Sequence, residues 1–225
     1  MIDHKTFQFL RDLQNHNDKD WFENHRDAYN AAVDNLTDVA ARLIDSAKSY
    51  DPAIGKLTLD PKDCISRIHR DMRFQKGKPP YKPDWFISIG DPQNRATAAY
   101  YLHVQPAESY AGGGVYTPAP EALKAIRHRI ADQLDDWTTI VEGKALTDVM
   151  PGGIDAPEEL KTIPQGFDKD DPAAEYLRMK GYVANRPLSN KDLESDRAHD
   201  LVVEAFAAAQ PLVAFLNSAL SSRTE

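Results

Sequence analysis

The chain has 225 residues, of which 41% are hydrophobic, 28% charged and 9% aromatic. That composition supplies a sizeable core and excludes disordered, fibrous and polytopic membrane classes. Thirty-five acidic residues against 27 basic ones leave a formal charge of −8, so the molecule as a whole repels nucleic acid and anionic membranes, and any attraction for an anion has to be local.

Residues 3–13 place Phe7, Leu10 and Leu13 on one helical face, with Asp3 available as a cap. After a polar break, a 3.6-residue apolar stripe from Trp21 to Ile44 predicts one long amphipathic helix over 19–48. Beyond Asp51 and Pro52 the period changes. Residues 65–70, 85–89, 98–105 and 109–116 are short, β-rich or alternating runs, read as strands of an antiparallel meander with connections at 90–94 and 106–108. Helices are then predicted over 121–133, with Pro120 in a first turn, and over 135–142. The stretch 151–172 is rich in Pro, Gly and Asp, 172–179 reads as a short helix and 182–189 as an extended segment. A last helix spans 196–220, and Pro211 is expected to kink or split it near Gln210. With no repeat or obvious linker, the economical reading is one α+β domain over 1–225, a central antiparallel sheet packed by N-terminal and C-terminal helices.

Residues 1–21 lack the apolar core of a signal peptide, and the apolar stretch 201–220 is interrupted by Glu204, Gln210, Pro211 and Asn217. The only cysteine, Cys64, excludes an intramolecular disulfide and a multi-cysteine metal site, and it suits a reducing compartment. A cytoplasmic protein without membrane association is expected.

The charge is unevenly spread. Within 61–82, Lys62, Arg67, Arg70, Arg73, Lys76, Lys78 and Lys82 face only Asp63 and Asp71, against the negative total of the chain. In an extended 65–70, Arg67 and His69 project from one face, Ile68 and Arg70 from the other. A turn at Asp71, with Gly77 and Pro79-Pro80 beyond it, would fold Arg73, Lys76 and Lys78 back towards one end of the sheet. Arginine offers a fork matched to carboxylate or phosphate oxygens and lysine adds a point charge, so an anion site is the sharp reading. The competing one pairs Arg67 and Arg70 with carboxylates of an acid-rich chain and leaves the lysines as a solvated loop.

Tyr101, His103 and Gln105 alternate onto one strand face, while Tyr100, Leu102 and Val104 take the other. Tyr101 and His103 are therefore candidates to orient a ligand, and His103 and Asp71 are the candidates for catalysis. Gly112-Gly113-Gly114 allows either close backbone approach to a ligand or a bend, and it matches neither the P-loop nor the GxGxxG spacing. No HExxH or paired-histidine motif occurs, and Ser66 and Cys64 sit in no nucleophile elbow, so neither a metal nor a cofactor is expected.

The run Ser66 to Phe74, followed by Lys78-Pro79-Pro80-Tyr81-Lys82, resembles the RIxRDxRF and KxPYK signature of the bacterial and fungal domain of unknown function 2461 family. Further matches follow in order: Phe9-Leu10 with Asn17, Lys19, Trp21 and Phe22; Tyr101-Leu102-His103; the triple glycine before Pro118; Pro164 with Gly166; and Pro211 to Leu220. The resemblance spans nearly the whole chain and implies a single full-length domain. It places Arg67, Arg70, Asp71, Arg73, Lys78, Tyr81 and Lys82 on the motif; the departure is Gln75-Lys76-Gly77, where a serine-lysine-aspartate-like sequence is usual.

The leading functional expectation is binding of a small anionic, phosphate-type ligand, with Arg67, Arg70, Arg73, Lys78 and Lys82 as charge partners and Tyr81, Tyr101 or His103 beside them. One alternative is an interaction module docking an acidic protein partner by its basic loop. Another is a metal-dependent or base-assisted hydrolase or transferase acting on a phosphorylated substrate. Single-stranded nucleic acid, to which Phe74, Tyr81 and Trp85 among the cations would be suited, is disfavoured by the acidic remainder of the chain.

Overall fold

The computed structural model describes residues 1–73, 77–94 and 97–221. Its elements run α1 (His4–Asn15), α2 (Lys19–Asn24), α3 (Arg26–Tyr50), α4 (Pro52–Gly55), β1 (Trp85–Ile89), β2 (Ala99–Val104), β3 (Ser109–Val115), α5 (Pro120–Asp132), α6 (Leu134–Val141), α7 (Lys144–Thr147), β4 (Ile154–Asp155), α8 (Ala174–Arg178), β5 (Tyr182–Leu188), α9 (Asn190–Glu194) and α10 (Ala198–Ser221). The fold is α+β, with a five-stranded antiparallel sheet in the order β1-β2-β3-β5-β4. The chain divides into two compact units. Met1–Ile89, Tyr101–Ala111 and Pro187–Val203 make the first; Gly90–Tyr100, Gly112–Arg186 and the chain from Glu204 make the second.

In the first unit α1 packs on α3, burying Phe7, Leu10 and Leu13 together with Leu36, Ala40 and Leu43. These are the positions the helical period selects. Asp3 precedes α1 but its side chain makes no cap bond. Its N–H instead donates to Asn35 Oδ1 at 2.9 Å, an oxygen that also accepts from Thr6 Oγ1 at 3.0 Å. The helix expected over 19–48 is two helices, broken at His25. There the backbone leaves helical geometry, the imidazole Nδ1 lies 2.7 Å from the Trp21 carbonyl, and the ring stacks on Trp21 at 4.0 Å. The backbone N–H of His25 keeps its own bond to that carbonyl at 3.1 Å and makes a second to the Phe22 carbonyl at 3.1 Å, the bifurcation common at a helix end.

In the second unit Pro120 occupies the first turn of α5, as expected. Trp137 of α6 is fully buried, with its ring 5.6 Å from Tyr176, 5.5 Å from Tyr182 and 5.3 Å from Phe215. Of the kink or split expected near Gln210, the split does not occur, and α10 runs through Pro211. The carbonyl that loses its partner belongs to Ala207, and both Ala207 and Pro211 are on the exposed face, open to solvent. Phe206, Ala209, Leu212 and Leu216 meanwhile bury the other face on both sides of the proline. Despite its polar interruptions, Ala198–Leu220 is long and apolar enough to cross a membrane by length and composition, and 44% of that window is buried inside the protein.

The triple glycine answers to packing. A Cβ on Gly112 would fall on the carbonyl of Ala184 and one on Gly114 on that of Tyr182, both in β5, while one on Gly113 would lie 2.8 Å from Ala209 Cβ and 2.9 Å from Val213 Cγ2 of α10. The three glycines let β3 lie flush against β5 and α10.

Candidate functional site

The basic segment lies in the first unit. Residues 65–70 do not form the expected strand. They are extended but tacked at two separate points, Ile65 bridging Ile87 and His69 bridging Tyr81. The second point is held by Arg70 N–H donating to the Pro80 carbonyl at 2.9 Å and Lys82 N–H donating to the Ile68 carbonyl at 2.8 Å. Four steps on one side match six on the other, so Pro83 and Asp84 are extra residues that interrupt the ladder. The predicted alternation holds: Arg67 and His69 are exposed, Ile68 is buried and Arg70 half-buried.

Tyr81 is the fixed point of this region. The Asn17 side chain brackets its backbone, Oδ1 accepting from Tyr81 N–H at 3.0 Å and Nδ2 donating to the Tyr81 carbonyl at 3.0 Å. Its ring, 4% exposed, stacks on Phe22 at 4.1 Å and 11°, with the His69 ring edge-on at 5.1 Å. Burial raises the Tyr81 phenol above its ordinary range, with Glu23 adding to the shift and Arg26 opposing it. Arg70 Nε donates to the same Tyr81 carbonyl at 3.2 Å. Of the charged side chains of the motif, Arg70 thus helps to seat this tyrosine.

The cations divide. Arg73 is committed to Asp71, its Nε at 2.9 and 3.2 Å and its Nη2 at 2.6 Å from the two carboxylate oxygens. Those bonds hold the Asp71 carboxyl below the usual carboxylate range. Arg67 and Lys78 are exposed, Lys82 is half-buried, and among the described residues none of Arg67, Arg70, Lys78 and Lys82 forms an ion pair. In the antiparallel 68–70/80–82 ladder, Arg70 and Lys82 are diagonal neighbours on one face, whereas Arg67 belongs to the other. The structure thus brings Arg70 and Lys82 onto a common face and does not bring Arg67 to it. Phe74 and Lys76 lie outside the described residues.

A second group forms on β1, β2 and β3. His103 is 7% exposed; its Nε2 lies 3.5 Å from Asp84 Oδ2 and its Nδ1 3.3 Å from the Glu108 carbonyl. The ring is covered by Phe86 at 4.4 Å and Tyr110 at 4.7 Å, and Tyr101 meets Tyr110 edge-on at 6.1 Å. Tyr101 is half-exposed, and Tyr100, Leu102 and Val104 are buried as the alternation requires. Sequence reasoning missed Asp84, Phe86 and Tyr110. Tyr110 follows only once the turn is known to close from Glu108 N–H to the Gln105 carbonyl, which shifts the count along the hairpin by one from a connection at 106–108. Asp84 had no signal in the sequence, since it enters only through the interrupted ladder at 83–84.

Ser66 Oγ accepts from Phe86 N–H at 2.9 Å, and the buried Cys64 thiol is pushed up to about 11 by burial and then by Asp63 and Asp60. Among the described residues no group of three or more His, Cys, Asp or Glu side chains could hold a metal.

A family profile described as conserved hypothetical protein (DUF2461) matches residues 5–215, and the chain belongs to that family. No curated protein and no solved structure matches it.

Proposed function

We propose that this member of the DUF2461 family binds a small anionic ligand, bearing a phosphate or carboxylate, at the face shared by Arg70 and Lys82. One observation carries the reading: in a chain of net charge −8, these two cations share a ladder face with no carboxylate partner among the described residues. Arg70 is positioned through Nε, which leaves the end of its guanidinium for a bidentate contact. Lys78 lies in the connection leading to that ladder and adds positive potential. A cytoplasmic setting accords with the single reduced cysteine.

The test is thermal unfolding of wild type and Lys82→Gln against phosphates, sugar phosphates, nucleotides and dicarboxylates. A ligand at 100 times its Kd stabilises by about 2.7 kcal/mol, or about 5–10 °C for a chain of this size. A selective shift in wild type that falls at least about tenfold in ligand sensitivity in Lys82→Gln is expected. No shift from any compound, or an equal shift in the variant, defeats the reading.

The His103–Asp84 pair favours a second reading, base-assisted hydrolysis or transfer on the bound anion, in which Asp84 orients the imidazole. Turnover of a phosphoester panel is then expected to fall about 10²–10⁴-fold in His103→Gln with the fold retained. Absence of turnover across the panel, with and without added divalent metal, retires it.

A further inference from the structure

The second unit holds an unassigned depression of about 420 Å³ between α5, α6 and α10, within the size range of small-molecule sites. Its apolar wall is Phe215, Ile140 and Pro211; its polar wall is Arg129, Asp136, Gln133 and Thr139. The guanidinium of Arg129 lies 5.7 Å from the Phe215 ring centroid, so one face is held by the aromatic ring. Its Nε is buried without a hydrogen-bond partner among the described residues, and Arg127 Nε and Trp137 Nε1 in the same pair of helices share that condition. Buried donors in native proteins almost always have acceptors.

Arg129 and Asp136 line the same depression, yet neither forms an ion pair among the described residues. A plain anion would meet repulsion from Asp136, and a plain cation would leave Arg129 unanswered. A ligand carrying both charges beside an apolar group satisfies the two walls at once. We propose that this depression binds an apolar α-amino acid, its carboxylate at Arg129, its ammonium at Asp136 with Gln133 and Thr139 adjacent, and its side chain against Phe215, Ile140 and Pro211.

Calorimetric titration of the full chain with L-leucine and L-phenylalanine tests this, with leucinamide and N-acetyl-L-leucine as single-charge controls. Binding of at least one amino acid is expected, with both controls at least about tenfold weaker, the loss that removal of one charged contact produces. Arg129→Gln should abolish binding. Asp136→Asn, at an exposed position, should bring N-acetyl-L-leucine level with leucine. Lys82→Gln should leave the titration unchanged, which separates this site from the one in the first unit. No binding of either amino acid up to about 10 mM, where Kd values correspond to less than about 3 kcal/mol, overturns the proposal. Equal binding of leucine and N-acetyl-L-leucine by wild type, or an unaltered preference in Asp136→Asn, does so as well.

Discussion

Phe22→Ala is expected to lower the unfolding free energy by about 3–5 kcal/mol, the cost of truncating a fully buried aromatic ring. Phe22 has no exposed surface and forms the centre of a ring cluster: Tyr81 at 4.1 Å, Tyr29 at 5.1 Å, His69 at 5.4 Å and Phe9 at 6.4 Å. Arg26 adds its guanidinium 5.5 Å from the ring centroid. Removing the ring frees the aromatic face of Tyr81 and loosens the ladder that presents Arg70 and Lys82, so anion-dependent stabilisation should weaken together with stability. Equilibrium denaturation in urea reads the first effect, and ligand titration of the variant below its midpoint reads the second. A loss under about 1 kcal/mol would show that the cluster is not a cooperative core, because deletion of a well-packed ring cannot be that cheap.

Gly114→Val should be the most damaging single change in the second unit, exceeding about 4 kcal/mol and leaving little soluble protein. Two costs coincide there. Gly114 has φ +135°, a region that side-chain-bearing residues rarely adopt, and its Cβ would land on the Tyr182 carbonyl of the neighbouring strand. Gly113→Ala is the graded comparison: its Cβ meets the side chains of Ala209 and Val213 at 2.8 and 2.9 Å, so the expected cost is that of overpacking, about 1–3 kcal/mol. Soluble yield and chemical denaturation of the two variants establish the order. A Gly114→Val protein as stable as Gly113→Ala would remove the packing account of the triple glycine and return it to the role of a ligand approach.

The two functional readings ask different things of the signature segment. Asn17, Phe22, Arg70 and Tyr81 form one structural knot, and Asp71 and Arg73 neutralise each other. What is left for an anion is the outer end of Arg70, Lys82 and the field of Lys78, a smaller set than the motif's charge suggests. Base chemistry depends instead on His103 and Asp84, which stand outside the basic cluster's own pairing pattern.

Periodicity by itself determined α1, the apolar faces of α2 and α3, α5, α6 and α10, and the three-strand meander. Each of these hides one face, and a side-chain repeat of 3.6 or 2 records which face that is. The concentration of positive charge over 61–82 was likewise plain in the chain, as was the divergence of Arg67 from Arg70. Tertiary structure decided the rest, through contacts between residues far apart in sequence. The helix ends at His25, whose N–H is shared between the Trp21 and Phe22 carbonyls, and α10 continues through Pro211 with Ala207 and Pro211 both on its exposed face. Asn17 found the Tyr81 backbone across 64 positions, and Arg70 joins it at the same carbonyl. The interruption at Pro83 and Asp84 delivered a carboxylate to His103, because a side chain's partner is set by where the backbone turns, and no local pattern of residues encodes that.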